Sequence, residues 1–132
     1  MKLIAAIGLL TFLVSCGGES APKVEIDPNG PEVEINVLSF DQENRKTEIE
    51  IINRMEDPIK SIRGRLYFYD EAGELVTTAT GRDLSSPFSM SENPSIVKSM
   101  DRVERTLQNQ IPEGTTSIKV EEIGGKTTSG DF

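Results

Sequence analysis

Histidine and tryptophan are absent from this 132-residue chain, cysteine occurs once, and aromatic residues make up only 5% of it. Without histidine, Ser-His-Asp and Cys-His nucleophile systems cannot be assembled, and neither can a histidine-ligated zinc site. A lone thiol closes no intrachain disulfide, so an exported chain of this kind must be held by a packed core. Positive charge is also scarce. Lys and Arg number 14 against 22 Asp and Glu, a formal net charge of −8. Such a surface repels phosphate backbones and anionic lipid headgroups, which excludes nucleic acid as an expected partner. Nor does the N-terminal apolar run, Leu3 to Val14, span a membrane. As a helix it would reach about 18 Å against a hydrocarbon core of about 30 Å.

That run has the layout of a secretory signal peptide. Met1-Lys2 makes a short positive start, Leu3 to Val14 an apolar region broken by Gly8 and Thr11, and Ser15 a small residue at the cut. The next residue is Cys16. Leu13-Val14-Ser15-Cys16 resembles the lipobox of bacterial lipoproteins, which has Leu first, a small residue third and Cys fourth. The resemblance implies that residues 1–15 are removed, that the Cys16 thiol receives a diacylglyceryl group, and that the new amine is acylated. Leu13 and Ser15 would then serve signal recognition, and Cys16 lipidation. One acyl chain holds a protein only marginally at about 0.8 kcal/mol per buried CH₂, whereas two or more hold it lastingly. An ordinary secreted protein with an unpaired thiol is the plainer alternative. Gly17 stands where Asp would mark inner-membrane retention in enteric sorting. The expected location is therefore the cell envelope, lipid-anchored, and the outer membrane if the cell has two membranes.

Residues 16–31 read as the lipidated cysteine and a flexible tether, with Gly17, Gly18, Pro22, Pro28, Gly30 and Pro31, and a turn signal at Asp27-Pro28-Asn29-Gly30. From Glu32 the pattern acquires a period of two, and a β-domain is expected over 32–124. Val33, Ile35 and Val37 alternate with Glu32, Glu34 and Asn36, and the phase slips at Leu38, as at a bulge. Thr47, Ile49 and Ile51 alternate with Glu48 and Glu50. The strongest strand follows, with Ile62, Gly64, Leu66 and Phe68 on one face and Arg63, Arg65, Tyr67 and Tyr69 on the other. Asp70 to Gly73 reverses the chain into an expected strand over Leu75 to Thr80, and Ile118 to Ile123 forms the last strand. Residues 125–132 read as a mobile tail. Residues 95–111 are ambiguous: Ile96, Met100, Val103, Leu107 and Ile111 make a helical stripe behind an Asn93-Pro94 cap. Two strands, Ile96 to Ser99 and Val103 to Gln108, suit the surrounding pattern better.

Residues 51–76, "IINRMEDPIKSIRGRLYFYDEAGELV", resemble the core of the FxLyD-type domain of exported bacterial proteins and, more distantly, late-embryogenesis-abundant type 2 domains. The shared frame is a strand ending in Asn53, a polar loop closing on Pro58-Ile59, a strand ending in Tyr69-Asp70, and Gly73 in the turn. The namesake motif aligns with Leu66 to Asp70, with Phe and Leu exchanged. The resemblance implies an all-β fold, an immunoglobulin-like antiparallel β-sandwich following the cleaved signal peptide, and a tendency to bind without a shared enzymatic activity. It also implies that the strands flanking residues 53–58 arch into different sheets. A simple hairpin would instead pair Glu48 and Glu50 with Arg65 and Arg63.

Catalytic and metal sites are not expected, and no cofactor is implied. Ser95-Ile96-Val97-Lys98 matches a Ser-x-x-Lys pattern, but that chemistry needs two further motifs and a larger fold. Gly124-Gly125-Lys126-Thr127 imitates the end of a phosphate-binding loop, yet Val120 occupies the place of its first glycine. Those glycines read as part of the mobile C-terminus. Carboxylates alternate with apolar residues, as on solvated strand faces. The candidate binding surface is the row Arg63, Arg65, Tyr67 and Tyr69, able to stack on sugars or receive a partner's carboxylates. A bland sandwich face, with Arg stems covering tyrosines, is the simpler account of the same row. The expected function is a noncatalytic, lipid-anchored envelope lipoprotein, an interaction module for an envelope protein or a polysaccharide, held to the membrane through its N-terminal lipid. A structural subunit of an envelope complex is the alternative, and a small hydrolase a remote one.

Overall fold

The structure, a computed structural model, describes residues 26–132. Six strands form two antiparallel sheets. β1 (Val33–Asp41), β2 (Lys46–Asn53) and β5 (Asp101–Gln108) pair in the order β1-β2-β5, and β4 (Ser85–Ser91), β3 (Ile59–Tyr69) and β6 (Ser117–Thr127) in the order β4-β3-β6. The described chain is all-β, an antiparallel sandwich as expected, and its two central strands are the two with the clearest alternation.

The inward residues of those strands make the core. Thr47, Ile49 and Ile51 face Ile62, Leu66 and Phe68, all at most 1% exposed. Burying each of the large apolar side chains contributes about 1.5–3 kcal/mol relative to exposure. β2 and β3 lie in different sheets, so the chain arches between them. Glu50 accordingly pairs with Arg102 of β5 at 3.0 Å, and Glu48 hydrogen-bonds Ser39 of β1. Leu38 sits at the expected slip, where the β1–β2 register shifts between Val37 and Ser39.

The arch is built around Asn53, which is fully buried. Its side-chain amide donates to the carbonyls of Asp57 (2.9 Å) and Lys98 (3.1 Å), and its carbonyl accepts from the Met55 amide (2.9 Å). Ile59 and Val97 add a backbone bridge beside it. One side chain thus ties the β2–β3 arch to the β4–β5 connection.

Several expectations change. Residues 95–111 contain no helix. β5 begins at Asp101, and Ile96 and Val97 form no strand but plug the core through a single bridge to Ile59. The helical stripe is an accident of a buried loop followed by an alternating strand. Leu75 to Thr80 is not a strand either, since only isolated bridges hold Leu75 to Tyr69 and Thr77 to Asp83. The strand that pairs with β3 is β4, whose serines and Pro87 carry little strand signal.

The C-terminus differs as well. β6 runs beyond residue 124 to Thr127, and the chain then turns back, with Gly125 and Phe132 exchanging backbone hydrogen bonds. The Phe132 ring packs on the core. Gly124 and Gly125 are buried strand residues, not parts of a loose tail. At the other end, Asp27 to Gly30 form the expected turn, and Arg54 holds it. The Arg54 guanidinium donates to the carbonyls of Asp27 and Pro31 and pairs with Glu34 at 2.7 Å. The last residues of the expected tether are therefore docked on the sandwich. Leu13, Ser15 and Cys16 lie outside the described residues.

Candidate functional site

Arg63, Arg65, Tyr67 and Tyr69 lie together on the outer face of β3, the central strand of its sheet. Their placement follows from alternation: Ile62, Gly64, Leu66 and Phe68 take the core face, so the intervening residues must point outward. On β4 the residues paired with this row are Ser89, Pro87 and Ser85. On β6 the neighbours are Gly124, Glu121 and Lys119. The row is thus flanked by small residues along β4, and by Glu121 and Lys119 between Gly124 and Ser117 along β6.

Each member has a distinct environment. Arg63 is exposed, and its guanidinium lies across Gly124, where a Cβ would stand 2.7 Å from it. Arg65 donates to the Ser85 hydroxyl at 3.0 Å and lies 3.8 Å from the Glu122 carboxylate. The Tyr67 hydroxyl donates to Glu122. That hydrogen bond raises the phenol above its ordinary value of 10.0, because ionisation would set two anions side by side. Lys119 stands 5.3 Å from the centre of the Tyr69 ring, within cation–π range.

Glu122 reaches this face because β6 is irregular. The β3–β6 register shifts between Arg63 and Arg65, and Glu122 there adopts a positive φ of 58°. An inserted residue re-aims a side chain that strict alternation would have placed elsewhere. The sequence shows Glu121-Glu122 only as adjacent acids, so this participant was missed. Lys119, Gly124 and the serines of β4 were missed too. Gly124 was legible as a glycine pair, but its use beneath Arg63 depends on which strand lies beside β3.

Two other motifs have definite places in the fold. Ile96 and Val97, within Ser95 to Lys98, are core residues, and the Lys98 carbonyl accepts from Asn53. Asp70 accepts hydrogen bonds from the amides of Ala72 and Glu74, closing the turn at Gly73, whose φ is +79°. Among the described residues, no three His, Cys, Asp or Glu side chains come together as metal ligands would.

The two outer faces differ in charge. The β1-β2-β5 face carries Glu48, Glu50 and Glu104, with Arg102 paired to Glu50. The β4-β3-β6 face gathers Arg63, Arg65, Lys119 and Lys126, against Glu121, Glu122 and Asp131, the last beside Lys126. The outward row is therefore a cationic strip on a strongly acidic protein. Comparison of the chain with family models, curated proteins and solved structures finds no match.

Proposed function

We propose that the protein is a noncatalytic lipoprotein of the cell envelope, anchored through lipid on Cys16 and presenting its β4-β3-β6 face to another envelope protein or a polysaccharide. In a cell with two membranes the proposed location is the outer membrane. The observation that carries the binding role is the outward row Arg63, Arg65, Tyr67 and Tyr69, a cationic and aromatic strip on the outer face of the central strand of its sheet. Its arrangement suits recognition: guanidinium groups take carboxylates in a planar fork, and phenols combine an apolar body with a polar tip. Arg63 stands outside every ion pair among the described residues, while Arg65 and Tyr67 share Glu122. The docked turn at Asp27 lies beside the β2–β3 arch through Arg54, so the tether would leave from that end. Tyr69, at the other end of β3, would point away from the membrane. The arch at residues 53–58 and the Asp70-closed turn support the proposed kinship with FxLyD-type, immunoglobulin-like domains.

Fractionation of cells expressing Cys16→Ser tests the anchor. The variant is expected to leave the membrane or to accumulate as precursor, and normal lipid labelling with full membrane retention would refute it. Photocrosslinking from Ser89 in intact cells tests the face. Adducts to protein or glycan are expected, and their absence would remove the binding role. A stoichiometric protein adduct would favour the alternative of a structural subunit in an envelope complex.

A further inference from the structure

Three shallow grooves join end to end along the β3–β4 seam of this face. The first, about 470 Å³, lies between Arg63 and Arg65 on one side and Pro87 and Ser89 on the other. The second, about 310 Å³, shares Arg63 and Ser89 with it and continues past Ser61 and Ser91. The third, about 450 Å³, shares Ser61 and Ser91 and ends at Lys60 and Lys126. From Arg65 to Lys60 the trough follows β3 for about 17 Å at about 3.3 Å per residue.

We propose that this trough binds a linear, carboxylate-bearing polysaccharide of the polyuronate type, an inference that rests on reading the chain as an envelope binding module. Charge is the first support. The ion pairs among the described residues are Arg54–Glu34, Arg65–Glu122, Arg102–Glu50 and Arg105–Glu92, and Lys60, Arg63 and Lys126 enter none of them. Glu122 and Glu92 line the trough and both are engaged, while Glu121 beside Arg65 and Asp131 beside Lys126 stand at its rim. Glu122 serves Tyr67 and Arg65, while Glu92 is held by a two-pronged Arg105 contact, both distances 3.0 Å. The trough therefore offers spaced cations, and the acidic remainder of the surface confines a polyanion to it.

The second support is the chemistry of the opposite wall. Ser85, Ser89 and Ser91 point outward on β4 with Pro87 between them, facing Tyr67, Arg63, Ser61 and Arg65 respectively across the seam. Short hydroxyl side chains keep the wall low and can both donate to and accept from sugar hydroxyls. An extended acidic peptide fits less well. On a sheet face the backbone groups are already paired within the sheet, so a peptide's own amides would find no ladder to complete, unlike at a sheet edge. A saccharide has no such ladder to satisfy.

Binding is tested on the full-length lipoprotein in detergent micelles, by calorimetry and by amide shifts, with oligogalacturonate as probe. Neutral dextran oligosaccharide and poly-glutamate serve as comparisons. Oligogalacturonate is expected to bind, to shift amides along β3 and β4, and to weaken steeply as salt is raised, whereas dextran does not bind. The double variant R63S/K126S should lower the affinity about ten-fold or more at an unchanged melting temperature, and E104Q on the other sheet should leave it unaltered. Affinity unaffected by R63S/K126S, or no oligogalacturonate binding at all, overturns the trough. Equal or tighter binding of poly-glutamate there overturns the glycan assignment. If these experiments fail while Ser89 still crosslinks to a partner in cells, only this inference falls. If Ser89 gives no adduct either, the binding-module reading falls with it.

Discussion

Two buried polar side chains in β2 show how unequal such groups can be. Asn53 uses its whole amide: three backbone groups of two separate loops end on it. Asn53→Ala would leave buried carbonyls and an amide without partners, and we expect a loss of about 3 kcal/mol, read by chemical denaturation. Thr47, equally buried, has a hydroxyl with no hydrogen-bond partner. Thr47→Val keeps the shape and removes that unpaired group, so it should be neutral or stabilise by about 1 kcal/mol. A clear destabilisation by Thr47→Val would show that the hydroxyl is satisfied in solution. Asn53 was read only as the end of a strand before a Pro-containing loop, and its buried role depends on the distant Lys98 carbonyl reaching it. Nothing adjacent to Thr47 distinguishes it from its Ile neighbours.

Among the strands, β6 and β4 are governed by what lies beside them. Gly64 admits the Phe88 ring, which would stand 2.8 Å from a Cβ there. Gly125 sits where a Cβ would strike the Ser61 carbonyl and come within 2.8 Å of the Phe132 ring. Backbone cannot yield as a flexible side chain can. Gly125→Ala should therefore cost about 1–3 kcal/mol and loosen the C-terminal return. Faster hydrogen exchange at the Phe132 amide would report it, and unchanged protection there would contradict this account of the close approach. At the open edge of the sandwich, Arg105 points inward from β5 and reaches Glu92 just beyond β4. An inward charge on an edge strand also discourages a second chain from pairing there.

Acid should loosen the domain where its N-terminal turn is docked. The Arg54 hydrogen bond, helped by Asn36, holds the Glu34 carboxyl below its ordinary value of 4.5. A depressed folded value means that the Glu34–Arg54 contribution is present above about pH 4.5 and is lost as pH falls through the folded value. Asp41 and Glu92 are lowered in the same sense, by Asn44 and Arg105 respectively. Glu34→Gln should thus be less stable than the parent at pH 7, by about 1–2 kcal/mol. The gap should close on acidification, and parallel stability curves down to pH 2 would remove Glu34 from the acid response. Breaking this pair should also release residues 27–31, because Arg54 alone spans the Asp27 and Pro31 carbonyls and Glu34.

Local alternation was enough to place β1, β2, β3 and most of β6, to assign the core faces of the two central strands, and to put Arg63, Arg65, Tyr67 and Tyr69 outside. The reason is that strand side chains change face with a period of two wherever one face is buried. The arch was legible in part because Pro58 cannot donate a ladder hydrogen bond, which suits a connection that leaves the sheet. Other features depend on neighbours distant in sequence. β4 is a strand because β3 offers it a ladder, despite Pro87 and its serines. The loop at Ile96 and Val97 is buried because Ile59 and Asn53 receive it. Glu122 joins the outer face through a register shift, and the cationic trough exists only because Lys126, far along the chain, returns beside Ser61. Pairing between separated segments is a property of the assembled sheets, which no short window of residues contains.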